Sequence, residues 1–320
     1  MSLGLQYKNQ EHIFDEKTVD GVPFLSYPML EETGIVHHGF STKLGGVSKG
    51  CWATMNISTT RGDDPEDVEE NQRRIARAIG VKPEDMTFTN QTHTTNVAVV
   101  RAEDKGRRFM ETDGMITNVP GICLVTFYAD CVPLYFVDPV KKAIGLSHSG
   151  WRGTVGKIGK VTVEQMQKTY GSDPKDEVSE DVIVKFQKSF EEKYWPELFY
   201  QKENGKYQLN LWKANELVFE EAGILKKHIA VTNVCTHCNP DILFSHRTTG
   251  NRYNNDRRYD SGSDRSYPAG GKTGKSDYPI SAGQYSGTDY IWTGSAGGTG
   301  CLLYRKTGDK MDQEDCETFI

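Results

Sequence analysis

The sequence predicts an α+β fold, and three observations support that class. A length of 320 residues allows a sizeable hydrophobic core in one large domain or two ordinary ones. Short apolar segments with strand character are mixed with segments of helical periodicity. The two kinds of segment follow no strict β–α–β rhythm, and this irregular order favours an α+β fold over a doubly wound parallel sheet.

The predicted strands are short and are separated by turn residues. They cover Phe24–Tyr27, Ile35–Phe40, Met86–Thr89, Asn96–Val100, Gly121–Tyr128, Pro133–Val137, Ala143–Ser147 and Ile229–Thr232. The best-signalled helix runs from Pro65 to Ile79, because Asp63 or Asp64 can cap its first turn and Gly80 follows its end. Three further helices are predicted over Gly153–Tyr170, Glu180–Tyr194 and Leu211–Ala222.

The composition changes near residue 250, and this change defines the predicted domain organisation. Residues 1–250 are typical of one globular catalytic domain, whereas residues 251–320 form an atypical segment rich in Gly, Ser and Tyr. Between residues 250 and 300 the only Ile, Leu or Val side chains are Ile280 and Ile291. Such a segment buries little apolar surface, so it is predicted to be disordered or an extended arm.

Composition also excludes several classes of protein. A net charge of -6 argues against nucleic-acid binding, which requires a basic surface. No apolar run approaches the ~20 residues of a membrane span, and the polar residues after Leu3 lead us to expect no signal peptide. Seven cysteines are odd in number and scattered, which argues against a disulfide framework. We therefore expect a protein of the reducing cytoplasm, without a membrane partner.

Three side chains at predicted strand ends suit a tetrahedral metal site. His93, Cys131 and His148 offer two imidazoles and a thiol, and catalytic zinc commonly has three protein ligands with a fourth position open. Taken singly, each has a simpler interpretation, as a structural histidine or a buried thiol. Asp130 precedes Cys131, and a carboxylate at a buried strand end requires a partner. Spacing alone leaves the metal site and the structural interpretation open.

Other polar residues allow both a functional and a structural interpretation. Arg152 stands at a predicted helix start, where anions bind, but it can equally pack on Trp151. Arg61 is a second candidate anion contact or a solvated turn residue. The Cys235–Cys238 motif lacks the second cysteine pair of a structural zinc site and a thioredoxin-like context. Two reduced cysteines in a turn are therefore the favoured interpretation.

Several separate motifs occur in a fixed order between residues 20 and 250. They are Gly39–Ser48, Asn56–Pro65 with Asn71 and Arg74, Gln91–His93, Thr112–Met115, Ala129–Pro133, His148–Gly153, Cys235–Thr236 and Phe244–Arg247. In this order they resemble the YfiH/YlmD family, long labelled "laccase domain" or "multicopper polyphenol oxidase" proteins. The resemblance implies a layered α/β sandwich with mixed sheets, similar to the catalytic domain of cytotoxic necrotizing factor.

The resemblance also implies a metal and an activity. The family's ligands match His93, Cys131 and His148, with zinc the usual metal, although copper also accepts such donors. Family members phosphorolyse adenosine, inosine and related nucleosides and deaminate adenosine, so purine nucleosides and phosphate are the expected partners. Alternatives are a peptidoglycan-editing hydrolase, a copper-dependent polyphenol oxidase and a non-catalytic zinc protein. With eight histidines in the whole chain, a multicopper oxidase is disfavoured.

Candidate roles follow for residues near the ligands. For deamination, Asp130 is the expected acid–base group, or else a partner that orients a ligand histidine. For phosphorolysis, the expected phosphate contacts are Arg61 and Arg152. Gln91 or Asn56 is expected to orient the ribose or the base.

The motif set contains one further predicted substrate contact and two departures from the family. Arg247, in the Ser–His–Arg motif, is predicted to touch substrate. The chain passes directly from Asp176 to Glu177, where the family has a further strand and a cysteine-bearing loop. Its Gly-, Ser- and Tyr-rich C-terminal segment also departs from the apolar strand or helix with which family chains normally end.

Overall fold

A computed structural model describes residues 2–172, 194–201, 207–249 and 299–307. It confirms the predicted fold class, since two mixed sheets are stacked between helices. The predicted helix Glu180–Tyr194 lies outside the described residues except for Tyr194, as does the direct passage from Asp176 to Glu177. Within the described ranges, no helix is long and apolar enough to cross a membrane.

The larger sheet has seven strands. They are β1 (Asp15–Val19), β2 (Val22–Ser26), β3 (Val36–Ser41), β4 (Met86–Thr89), β6 (Arg108–Phe109), β8 (Cys123–Tyr128) and β13 (Thr299–Arg305). Across the sheet the order is β1, β2, β3, β13, β8, β4, β6. Strand β4 runs parallel to both of its neighbours, β8 and β6, and the other pairs are antiparallel.

The second sheet has four strands and packs face to face against the first. They are β5 (Val97–Val99), β7 (Gly114–Thr117), β9 (Val132–Asp138) and β10 (Ala143–Ser149), in the order β5, β7, β10, β9. Between the sheets, Leu124 and Leu303 of the first pack with Ile144 and Leu146 of the second, all fully buried. A separate pair consists of β11 (Phe199–Gln201) and β12 (Tyr207–Leu209).

Helices cover the outer faces of both sheets. They are α1 (Pro28–Glu32), α2 (Pro65–Ala78), α3 (Trp151–Val155), α4 (Ile158–Tyr170), α5 (Trp195–Leu198), α6 (Leu211–Glu221) and α7 (His246–Thr249). Ile75 of α2 packs on the larger sheet, and Ile158 and Met166 of α4 pack on the second. The Asp64 carboxylate caps α2 by accepting the Glu66 N–H, as one of the two predicted alternatives requires.

Three predicted features differ from the structure. The predicted helix Gly153–Tyr170 is broken into α3 and α4, because Lys157 adopts a left-handed backbone (φ 58°) between them. Ile229–Thr232 forms no strand; the neighbouring Val234 makes a single bridge with Tyr7 instead.

The third difference concerns the C-terminal segment. Strand β13 comes from the region predicted as an atypical arm, yet it lies inside the larger sheet between β3 and β8. Its Leu302 and Leu303 side chains are fully buried. This part of the segment therefore completes the core of the fold, whereas the division at residue 250 remains a prediction.

Candidate metal centre and its surroundings

The ends of three strands bring the predicted metal ligands together. His93 lies in the loop after β4, Cys131 in the turn between β8 and β9, and His148 near the end of β10. The ligand atoms of these side chains all lie within 4.8 Å of one another. Within the part of the chain that the structure describes, no other group of His, Cys, Asp or Glu has this arrangement. The cluster is thus formed in space, and its role as a metal site remains a prediction.

A buried carboxylate, Asp113 at the start of the β7 region, holds two parts of this cluster. Its Oδ1 accepts the His93 backbone N–H at 3.0 Å and lies 2.9 Å from His148 Nδ1. Its Oδ2 accepts the backbone N–H groups of Thr92 and Thr94 at 3.0 and 2.9 Å, and the Thr94 hydroxyl at 2.9 Å. One side chain therefore fixes both the loop of His93 and the ring of His148.

This carboxylate also determines which nitrogen of His148 faces the cluster. An ionised carboxylate accepts hydrogen bonds only, so His148 carries a proton on Nδ1 whether the ring is neutral or charged. The opposite nitrogen, Nε2, is then directed toward Cys131 and His93. A carboxylate–histidine pair of this kind commonly orients a metal ligand and raises its basicity.

The electrostatics favour a thiolate at Cys131. Burial opposes ionisation of the thiol, but the charges and hydrogen bonds of His148 and His93 outweigh it and lower the pKa of Cys131. Burial likewise opposes protonation of His148, yet its neighbours Cys131 and Asp113 raise its pKa. For Asp113, burial is again the largest influence and is outweighed by His148, so its pKa is lowered. A cation at this position would interact with two anionic groups.

The donor set fits zinc. Zinc binds imidazole nitrogen at about 2.0–2.1 Å and thiolate sulfur at about 2.3 Å, so tetrahedral donors stand about 3–4 Å apart. The present spread of at most 4.8 Å requires only small side-chain rotations to reach that geometry. Two nitrogens and one sulfur also satisfy copper, so the donors alone leave a choice between the two metals.

Gly150 provides space for the cluster. A methyl group at this position would lie 2.8 Å from His93 Cδ2 and 3.0 Å from Cys131 Sγ, closer than carbon atoms pack. Its backbone is ordinary, with φ -75° and ψ 178°, so conformational freedom does not explain the glycine. The absence of a side chain therefore allows the two ligand candidates to approach the β10–α3 turn.

Replacing Gly150 with alanine is expected to weaken metal binding by at least about tenfold while leaving the fold intact. The new methyl group displaces His93 or Cys131, but its backbone angles suit any residue. Metal affinity measured by chelator competition, together with thermal unfolding, tests this expectation. Gly153→Ala is the matched control, since its methyl group meets no atom closer than 3.3 Å. Equal metal affinity in both variants would contradict the steric argument.

Asp130 borders a cavity beside the cluster. Its backbone is left-handed (φ 93°), and its Oδ1 accepts the hydroxyl hydrogen of Thr236 at 2.8 Å. The cavity, of about 130 Å³, is lined by Asp130, Cys131, Thr236 and Trp212 among others. The carboxylate thus has the partner that its position requires, and it lines the same cavity as the ligand candidate Cys131.

Two predicted site residues have side chains bonded within the protein. The Gln91 amide donates to the Phe127 carbonyl at 2.7 Å and accepts its N–H at 2.9 Å, which joins the His93 loop to β8. The Asn56 amide donates to Asp63 Oδ2 at 2.8 Å and accepts the Ser58 N–H at 3.1 Å. These contacts make both residues supports of loops in this structure, and substrate contact by either remains a prediction.

The three predicted arginines differ in their surroundings. Arg152 is exposed, and its guanidinium lies 5.1 Å from the centre of the Trp151 ring, the structural alternative foreseen for it. Arg61 is half-buried, and burial lowers its pKa. Arg247 lies in α7, and its side chain is outside the described part of the structure.

Arg108 was not predicted as a site residue. Its guanidinium lies 5.0 Å from the Phe88 ring centre and donates to the Thr89 carbonyl at 3.0 Å and to the Thr59 hydroxyl at 2.8 Å. Burial lowers its pKa, and among the described residues no carboxylate pairs with it. Because Thr59 is two residues from Arg61, two half-buried cations flank the same loop.

Comparison with known proteins identifies the family. Residues 37–255 match the sequence model described as multi-copper polyphenol oxidoreductase laccase. The purine nucleoside phosphorylase YlmD of Bacillus subtilis is 32% identical over 243 residues, which cover 65% of this chain and 82% of that protein. The purine nucleoside phosphorylase of Deinococcus radiodurans is 38% identical over 221 residues, which cover 65% and 81%.

Solved structures of two relatives share the fold. YlmD from Geobacillus stearothermophilus matches with a TM-score of 0.67 and 26% identity, over 92% of this chain and 99% of that one. The Bacillus licheniformis hypothetical protein YfiH matches with a TM-score of 0.68 and 24% identity, over 92% and 100%. The chain therefore belongs to the multi-copper polyphenol oxidoreductase laccase family, as its ordered motifs predicted.

Proposed function

We propose that this protein is a zinc-dependent purine nucleoside enzyme that cleaves nucleosides with phosphate and deaminates adenosine. The observation that carries the proposal is the His93–Cys131–His148 cluster beside a cavity, with its ligand atoms within 4.8 Å. Relatives that match this chain over most of their own length are named purine nucleoside phosphorylases, and this name supports the substrate class. We take zinc as the metal because catalytic zinc sites commonly combine three protein ligands of these types with one further position.

Side chains around the cavity have distinct tasks in this proposal. His93, Cys131 and His148 would hold zinc, which would supply a Lewis acid. Asp130 borders that cavity and receives or donates the proton that accompanies loss of the purine or of its amine. The Thr236 hydroxyl orients this carboxylate. Asp113 holds His148 and the His93 loop in position throughout.

Phosphate is an anion and requires cationic side chains to bind it. Arg61 and Arg108 are half-buried and flank one loop, and Arg binds phosphate with two parallel hydrogen bonds. We assign phosphate binding to this pair. Arg152, which is exposed and stacked on Trp151, contributes less in this assignment.

A direct experiment tests the function. The purified protein is analysed for zinc and copper, then incubated with adenosine or inosine, with and without phosphate, and the products are identified by chromatography. We expect the purified protein to contain zinc. Free base and ribose 1-phosphate should form only when phosphate is present, whereas adenosine should be converted to inosine without phosphate. Protein stripped by a chelator and reloaded with zinc or copper identifies the active metal. A zinc-loaded protein that converts no nucleoside would refute the proposal.

One further chemistry has support from the geometry. His148 is hydrogen-bonded to Asp113, and its ligand nitrogen lies within 4.8 Å of the Cys131 sulfur. This is the order of a thiol–imidazole–carboxylate triad, which is typical of hydrolases with a thiol nucleophile. A peptidoglycan-editing hydrolase could use it on an amide bond. Release of an amino acid from a muropeptide by chelator-treated protein would favour this second candidate, because a thiol nucleophile acts without metal.

A further inference from the structure

Cys235 and Cys238 are the first and fourth residues of a tight turn that the proposed reaction does not use. The Cys238 N–H donates to the Cys235 carbonyl at 3.2 Å. A β-turn keeps the Cα atoms of these positions within about 7 Å. Disulfides span Cα separations of about 4.4–6.8 Å, so the turn keeps the two Cα atoms at a separation that a disulfide can bridge.

Buried contacts fix this turn in place. The amide of Asn239, which is buried, donates to the Cys235 carbonyl at 2.9 Å. The same amide accepts the Gln6 N–H at 2.6 Å and donates to the Gln6 carbonyl at 3.2 Å. These bonds hold the two ends of the turn, so closure of a Cys235–Cys238 disulfide displaces the residues between them, Thr236 and His237.

One end of the turn faces solvent, and the other end lines the cavity beside the His93–Cys131–His148 cluster. Cys238 is exposed, so a small disulfide can reach it from solvent. Cys235 is half-buried and lines the cavity that Cys131 and Asp130 border. Between the two cysteines, the Thr236 hydroxyl donates to Asp130, the residue before the ligand candidate Cys131.

We propose that Cys235 and Cys238 form a reversible disulfide that controls metal affinity at the adjacent cluster through the Thr236–Asp130 hydrogen bond. Bond formation draws the two sulfurs to about 2.05 Å and reshapes the turn that carries Thr236. Asp130 then loses its hydroxyl partner, and its left-handed backbone, which precedes Cys131, is less well held. Formation of the disulfide does not depend on the proposed function, whereas its effect on metal affinity rests on the proposed function.

The oxidant in this reaction is a low-molecular-weight disulfide such as oxidised glutathione. The Cys238 thiolate attacks one sulfur of the oxidant, and the first glutathione leaves as a thiolate that takes up a proton. Cys235 then attacks the mixed disulfide at Cys238 and releases the second glutathione. Two protein thiols are oxidised by two electrons and one glutathione disulfide is reduced, so the exchange reverses when reduced glutathione is in excess.

The test uses the zinc-loaded full chain in buffers that span ratios of reduced to oxidised glutathione. Alkylation, proteolysis and mass spectrometry identify each linked cysteine, and chelator competition measures zinc affinity in the same samples. We expect a Cys235–Cys238 link and zinc affinity lowered by about tenfold, the lower end of what loss of an outer partner costs. Cys238→Ser should keep zinc affinity constant across the series, and Cys51→Ser should behave like the unchanged protein.

A second variant separates the bond from its effect. In Thr236→Val the hydroxyl link to Asp130 is absent from the start, so the disulfide should form while zinc affinity no longer depends on it. A glutathione adduct without a Cys235–Cys238 link, or a Cys131–Cys235 link, would overturn the proposed site. A disulfide that leaves zinc affinity unchanged, or a protein that binds no zinc, would overturn its regulatory effect. Because turnover is not measured, an inactive but zinc-binding protein would refute only the proposed function.

Discussion

Replacing Cys131 with serine is expected to lower zinc affinity by at least about 100-fold and to reduce nucleoside turnover in proportion. Loss of a partner outside the metal's own ligands already costs about 10–100-fold, so loss of a ligand should cost at least the upper end. The thiol at this position is stabilised as an anion by His148 and His93, whereas a serine hydroxyl stays neutral. Metal analysis and phosphate-dependent release of free base from inosine check both parts.

Cys51→Ser provides the matched control for this substitution. It makes the same exchange of sulfur for oxygen at a partly buried thiol outside the His93–Cys131–His148 cluster. We expect unchanged zinc content and turnover in that variant. If Cys131→Ser kept full zinc content and full turnover while Cys51→Ser did the same, both the metal site and the proposed reaction would be wrong.

Much of the fold was predictable because its signals are local. Helix α2 has a capping aspartate, a proline in its first turn and a following glycine, and its predicted bounds differ from the structure by one residue. Strand β4 is found as predicted, from Met86 to Thr89. The break between α3 and α4 was missed because Lys157, a residue without special turn chemistry, adopts the left-handed conformation there.

Strand β13 shows where local signals are insufficient. Its apolar residues Leu302 and Leu303 follow a long Gly- and Ser-rich stretch, and nothing nearby in sequence pairs with them. Their partners are β3 and β8, more than 170 residues earlier in the chain. Only the tertiary structure shows that a gap between these two strands has to be filled.

The sequence indicated the three ligand candidates, but it did not indicate the residues that hold them in place. The candidates are two histidines and a cysteine, residue types that commonly bind metals: His93, Cys131 and His148. Each follows or ends a predicted strand. Asp113 was visible only as part of the Thr112–Met115 motif, because its role depends on bonds to a loop 20 residues earlier and a ring 35 residues later. Gly150 was likewise visible only as a turn residue, since its function is the space it leaves.

Replacing Asp113 with asparagine is expected to lower both the stability of the protein and its affinity for zinc. The two oxygens of the carboxylate accept five hydrogen bonds between them. In asparagine an NH2 group replaces one of these oxygens, and it would face the donors that this oxygen had accepted. Leaving buried donors without an acceptor should lower the free energy of unfolding by about 3 kcal/mol. Zinc affinity should fall by about 10–100-fold, because His148 loses the group that fixes its tautomer.

Thermal unfolding and chelator competition on zinc-free and zinc-loaded protein distinguish these two effects. Asp104→Asn is the matched control, since it makes the same change at a buried carboxylate that caps a short helical turn and accepts from Arg101 and Arg107. It should lower stability and leave zinc affinity unchanged. If Asp113→Asn lost stability but bound zinc as tightly as the unchanged protein, Asp113 would serve the fold alone. The ligand geometry would then be set by the strands themselves.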